Sequence, residues 1–179
     1  MNRNPKKILT ELNRLVDLVK EKLNYSENAV PFFIAGGSVF ASINNSQYND
    51  IDVYFYKKED LEKHRPLIKR SIKRSAVYET NNAITFIDKH TSAHDVYSHS
   101  TNFNDDKIQL IKKEYGNPLD VFETFDLNCS KCCITSDGKI LKSSDFSNLI
   151  KINQKVIKSD VLKRYLKYIE YKNAVDVDS

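Results

Sequence analysis

The sequence predicts an α+β domain: a short mixed β-sheet flanked by helices, with a helical C-terminal extension. Three observations carry this. Apolar residues recur at a helical period over residues 5–23 and again near the C-terminus. Short runs rich in β-branched and aromatic residues, such as "FFIA" and "DIDVYFY", stand between the helical stretches. No repeat, linker or low-complexity block divides the chain, so residues 1–150 are expected to form the main domain and 151–179 a helical extension packed on it.

The elements follow in order. Ile8, Leu9, Leu12, Leu15, Val16, Val19 and Leu23 line one side of a helix with Pro5 near its start. "AVPFFIA" (29–35) is a buried strand, and "GGSVFASINN" a helix beginning at the glycines. "DIDVYFY" (50–56) alternates as a strand. Residues 58–74 are helical, with Pro66 opening a second segment. "AVYET" and "AITFI" form a hairpin across Asn81 and Asn82, and "KIQLIKK" (107–113) is another strand. Asn117 caps a helix with Pro118 in its first position and Asp120 in its first turn. "LNCSKCCIT" (127–135) reads as a strand turning through "SDG" into "KILKS". The last helix is capped by Ser159, with Leu162, Tyr165, Leu166 and Ile169 on its apolar face.

The bulk numbers narrow the function classes. A chain of 179 residues can bury a real core, and 40% hydrophobic with 29% charged residues is a globular balance. No apolar run approaches the roughly 20 residues a membrane-spanning helix needs. The N-terminus lacks the apolar stretch of a signal peptide, so a cytoplasmic location, in the producing or host cell, is expected. Three cysteines, an odd count crowded into "NCSKCC", do not make a disulfide framework. A net charge of +4 permits a nucleic-acid partner without arguing for one.

The chemistry concentrates in "GGSVFASINNSQYNDID". Strand side chains alternate, so Asp50 and Asp52 share a face, with Cα atoms roughly 6.5–7 Å apart. Two ionised carboxylates that close repel unless a cation lies between them, and Mg²⁺ (or Mn²⁺) takes such oxygen ligands together with substrate phosphates. Gly36 and Gly37 would let a phosphate approach the backbone at a helix start, and Ser38 adds a hydroxyl donor. An Asp-x-Asp or a GlyGlySer alone is commonly an exposed strand face or a turn. Their joint order points to a nucleoside triphosphate site.

That order, an apolar strand, GlyGlySer, eleven residues, then Asp-Ile-Asp-Val, resembles the DNA polymerase beta-like nucleotidyltransferase superfamily. "IQLIKKEYGNPLDVFETFDLNCSKCCI" and "VLKRYLKYIEYK" look like small nucleotidyltransferase-like proteins of phages and other viruses. The resemblance implies the superfamily's fold over residues 1–150 and two-metal transfer of an NMP from an NTP. It implies phosphate contacts from Gly37 and Ser38, and metal ligation by Asp50 and Asp52. The superfamily adds a third carboxylate from a neighbouring strand, and here Gln109 takes that place. Asp126, opening "FDLNCSKCC", is the first substitute expected, then Asp88, then Asp95; Asp126 reads equally as a cap on backbone amides.

His90, His94 and His99 with the three cysteines invite a zinc reading, but the spacing recurs nowhere, and buried small hydrophobes explain the cysteines better. Lys57–Arg74 carries eight basic residues against three acids, by default a solvated face. Arg164 and Lys167 share a helix face and could serve a triphosphate or an RNA end; among Tyr165, Tyr168 and Tyr171, packing is the expectation and base stacking the alternative. The leading function is Mg²⁺-dependent transfer of an NMP to a hydroxyl on an RNA 3′ end, a protein or a small molecule. The alternatives are a non-catalytic nucleotide- or protein-binding module on the same fold, antitoxin-like or a viral decoy, and a basic RNA-binding protein.

Overall fold

A helix from Pro5 to Lys22 (α1) opens the fold, with Asn4 accepting the Lys6 amide at its cap, 3.0 Å away. The structure, a computed structural model, describes residues 4–23, 25–71, 75–88 and 107–173. After a short helix, Tyr25–Asn28 (α2), the chain forms β1 (Phe32–Ala35), α3 (Gly37–Ile43), β2 (Ile51–Phe55) and α4 (Lys58–Ser71). Then come β3 (Ser75–Glu79), β4 (Ala83–Asp88), β5 (Lys107–Tyr115), α5 (Pro118–Phe122), β6 (Cys132–Thr135), β7 (Ile140–Lys142) and α6 (Val161–Asn173). The strands form one mixed sheet in the order β3-β4-β5-β2-β1-β6-β7, in which only β2 and β5 run parallel.

Alternation along the strands divides the core. Phe32, Ile34, Ile51, Val53, Phe55, Leu110 and Ile134 face α1, whose Leu12, Leu15, Val16 and Val19 are buried against them. On the opposite face Phe33, Ala35, Tyr54 and Cys133 meet Val121 and Phe122 of α5. A third cluster joins Phe40 and Ala41 of α3 to Tyr168 and Tyr171 of α6. The hairpin at Asn81 and Asn82 forms as expected, and Asn117 caps α5 through the amides of Leu119 and Asp120.

Four local expectations are corrected. α4 continues unbroken through Pro66, since the ring deletes one backbone bond and the turns on either side carry the helix across. Residues 128–130 form a turn of 3-10 helix, so the strand begins only at Cys132. α6 begins at Val161, later than a Ser159 cap requires, with the Arg164 amide donating to the Asp160 carbonyl. Its buried residues are Val161, Tyr168 and Tyr171, whereas Leu162 and Leu166 are 68% and 61% exposed. Both sides of α6 are apolar, and the aromatic side buries more surface against Phe40. Among the described residues no helix is long and apolar enough to cross a membrane.

Candidate functional site

β1 delivers the chain to Gly36, whose φ of +85° lies where glycine is favoured, and Gly36 then precedes the first turn of α3. Ala35 pairs in register with Asp52 across β1 and β2. A Cβ placed on Gly36 would stand 3.4 Å from Asp52 Oδ2, so the glycine turn lies beside the second carboxylate. Ser38 is 1% exposed, and its Oγ finds no hydrogen-bond partner among the described residues. A buried hydroxyl left so costs about 1–3 kcal/mol, which a ligand oxygen would relieve.

The electrostatics concentrate on Asp52. Burial, then the neighbouring Asp50 carboxylate, push its pKa up from 3.8 to about 7; Lys167 and Lys107 oppose the rise, and Glu114 adds to it. A charge there is therefore disfavoured until a cation arrives. The sequence reading missed Glu114. Pairing of β2 with β5 is regular at Val53 and Leu110 but resumes at Phe55 and Tyr115, and that irregularity brings Glu114 into the field of Asp52 and Tyr54. Glu114 also pairs with Lys158 at 3.8 Å.

Gln109 is the register partner of Asp52 on β5, the place the third superfamily acid was expected to take. Among the described residues, no group of three His, Cys, Asp or Glu side chains is arranged to hold a metal. Asp126 is thus not gathered with Asp50 and Asp52. It forms a buried ion pair with Arg164, which also pairs with Asp160. These two candidate site residues hold each other, because a buried carboxylate needs a counter-charge and Arg164 supplies it. Asp88 ends β4 and its side chain lies outside the described residues, as do Asp95, His90, His94 and His99.

α6 roofs the turn. A Cβ on Gly37 would meet the Tyr168 hydroxyl at 3.4 Å and the Tyr171 ring at 3.9 Å. Tyr168 stacks on Phe40, and Lys167 sits over the Tyr171 ring, 5.5 Å from its centroid, while its charge acts on Asp52. Lys167 therefore belongs to the neighbourhood of the carboxylates, whereas Arg164 is held by Asp126 and Asp160. Burial pushes the thiols of Cys129 and Cys133 up to about 12 and that of Cys132 to about 11, which makes them packing residues.

Gly36 thus lies beside Asp52, whose charge is felt by Asp50 and Lys167, and the buried Ser38 follows in the first turn of α3. Two carboxylates, a turn of two glycines and an unsatisfied hydroxyl fit Mg²⁺ bound together with phosphates. Asp50 and Asp52 could hold the ion.

A family model described as Gabija anti-defense 2 family protein matches residues 6–155. No curated protein matches the sequence. Among solved structures, the fold is similar to the Thermotoga maritima CCA-adding enzyme complexed with tRNA, with TM-score 0.58 and 15% identity, covering 97% of this chain and 42% of that one. A CCA-adding enzyme complexed with CTP aligns with TM-score 0.47 and 16% identity over 95% of this chain. An apo form aligns with TM-score 0.47 and 14% identity over 86%. The chain spans 35–42% of the length of these enzymes. The likeness establishes the nucleotidyltransferase-type α+β fold.

Proposed function

The chain belongs to the Gabija anti-defense 2 family, and on that premise we propose that it is a Mg²⁺-dependent nucleotidyltransferase acting in the cytoplasm. It moves an NMP from an NTP to a hydroxyl on an RNA 3′ end, a protein or a small molecule. The observation that carries this reading is the closeness of the Gly36 turn to Asp52. A triphosphate at the turn would lie beside the carboxylates that hold its cation. Residues 1–150 supply this site, and the segment from 151 adds Lys167.

The chain's own groups have separable tasks. The backbone at Gly36 and Gly37 presents no side chain of its own to the phosphates, and the Ser38 hydroxyl donates to a phosphate oxygen. Lys167 adds positive charge at the carboxylate side. When bound, Mg²⁺ neutralises the triphosphate and polarises the reacting oxygens. In the transfer, the acceptor oxygen bonds to the α-phosphorus and the bond from that phosphorus to the α–β bridging oxygen breaks. Pyrophosphate leaves, and the hydroxyl proton passes to water. A phosphate at Gly37 would enter the space beneath the Tyr168 hydroxyl, so binding is coupled to the seating of α6.

A second reading is a nucleotide-binding module that performs no transfer. The neutral Gln109 beside Asp52 favours it. An anti-defense role is compatible with either reading.

The test is incubation with each radiolabelled NTP, Mg²⁺ or Mn²⁺, total RNA and protein extract. The enzyme reading expects label on an acceptor, lost in Asp50→Ala and Asp52→Ala. Label on no acceptor, with NTP binding that still requires Asp50 and Asp52, selects the second reading. NTP binding indifferent to both substitutions removes both readings.

A further inference from the structure

Around Gly37, α3 and α6 bring together hydrogen-bond donors that have no acceptor. Ser38 follows Gly37 in the chain and is 1% exposed, with no partner for its Oγ among the described residues. The point at which a Gly37 Cβ would stand is 3.9 Å from Cε2 of Tyr171, and the phenol oxygen is two bonds from that carbon. Tyr171 is itself 7% exposed, and its hydroxyl too finds no hydrogen-bond partner among the described residues. Lys167, one helical turn earlier, lies over the same ring, 5.5 Å from its centroid. An ammonium carries three donors and no acceptor, so the nearness of Lys167 leaves the phenol hydrogen unmatched.

The donor set selects its ligand. Two buried hydroxyls are cut off from water, which costs stability until an acceptor arrives, and the ammonium adds positive charge. Another donor or a cation would satisfy none of them. An anion with several oxygens satisfies all three, and a polyphosphate chain is such an anion. Burial pushes the pKa of Tyr171 up from 10; Lys167 opposes the rise and Asp50 adds to it. The phenol therefore holds its proton at neutral pH and is available as a donor.

We propose that the Tyr171 hydroxyl is a phosphate-binding group, the third donor of a cradle with Ser38 and Lys167 that takes the polyphosphate chain of the nucleotide. This rests on the reading of the glycine turn as a nucleotide site, whether for transfer or for binding. Two of the three donors come from α6, on one face and one turn apart, so the C-terminal helix is part of the binding site. The Tyr171 ring has a second task, since attraction between its face and the ammonium steadies Lys167.

Tyr171→Phe isolates the hydroxyl, because it keeps the ring, its packing and the hold on Lys167. Calorimetric titration of the full chain with each NTP and Mg²⁺, and with inorganic tripolyphosphate as a probe without a nucleoside, tests the proposal. Tyr171→Phe should weaken the binding of tripolyphosphate and of the bound NTP about tenfold each. The Tm of the unliganded variant should hold or rise, because the change removes an unmatched buried polar group. Unchanged affinity for both probes overturns the proposal. So does a lower Tm without ligand, which would mean that the hydroxyl has a partner within the fold. If NTP binding requires Asp52 and Tyr171→Phe leaves it unchanged, the nucleotide site stands and only the role of Tyr171 falls. A wild type that binds neither probe at about 1 mM removes the nucleotide site and the cradle together.

Discussion

Gln109 stands beside Asp52 as its register partner across the parallel pairing of β2 and β5. A neutral amide therefore occupies the place from which a third carboxylate would reach the cation. Gln109→Asp should tighten Mn²⁺ binding about tenfold, or about 1.4 kcal/mol. Without metal the added charge should destabilise the fold by about 1 kcal/mol. Titration of Mn²⁺ by electron paramagnetic resonance, alongside urea unfolding in chelator, reads both; unchanged affinity would place the cation away from Gln109.

Asp52 itself should cost stability at neutral pH. Its folded pKa of about 7 lies above the ordinary 3.8, so its contribution is fully present below pH 3.8 and is lost as pH rises through 7. Asp52→Asn should remove that decline and stabilise the metal-free protein at pH 8 by up to about 4 kcal/mol, while abolishing the proposed Mg²⁺-dependent transfer. Thermal unfolding with and without Mg²⁺ checks it: the ion should raise the Tm of the wild type and leave that of the variant unchanged.

The two glycines should fail differently. Gly36→Ala forces a side chain onto a φ of +85° and toward Asp52 Oδ2, and should cost about 1–2 kcal/mol. Gly37→Ala meets Tyr168 at an ordinary contact distance in the first turn of α3, so its stability should stay within about 1 kcal/mol of wild type. Its methyl group occupies the phosphate approach, and NTP affinity should fall about tenfold. Unfolding and binding measured on the same samples separate the two effects.

Asp126 and Arg164 should matter for stability before chemistry. The Asp126 side chain is 6% exposed, and removing Arg164 leaves it unmatched, whereas Arg164 keeps Asp160 when Asp126 is neutralised. Arg164→Met should cost about 3 kcal/mol in urea unfolding, and Asp126→Asn less. Label transfer should persist at temperatures where the variants are folded. Loss of transfer at full stability would return Asp126 to the catalytic set.

His64 should give the opposite pH response to Asp52. It is fully buried against Phe55, and burial lowers its pKa from 6.5. The unfolded chain then takes the proton first, so stability is lost as pH falls from 6.5 toward the folded value. In an Asp52→Asn background, which silences the opposing titration, the loss between pH 7 and 5 should be about 1 kcal/mol or more. His64→Phe should flatten it.

The parts legible in the sequence are those decided within a few residues or one turn. Gly36 is needed for a positive φ, and Asn117 and Pro118 start α5. The joining of the glycine turn to Asp52 was also legible, because β1, α3 and β2 follow one another with short connections. The superfamily resemblance set Gln109 in the third acid's place, and the structure puts it in register with Asp52.

What only the tertiary structure decided are contacts between distant segments and choices between near-equal packings. α6 has two apolar sides, and a period of 3.6 cannot say which one turns inward; the stacking of Tyr168 on Phe40 settles it. Asp126 looked available until Arg164, far along the chain, supplied its counter-charge. Glu114 entered the field of Asp52 through an irregularity of strand pairing that leaves no mark in the residue pattern. Local rules of backbone conformation and alternation are written residue by residue, so the sequence alone determined where the glycine turn and its carboxylates lie. Which charges neutralise one another, and which helix face covers the turn, depends on the summed burial and electrostatics of the folded chain.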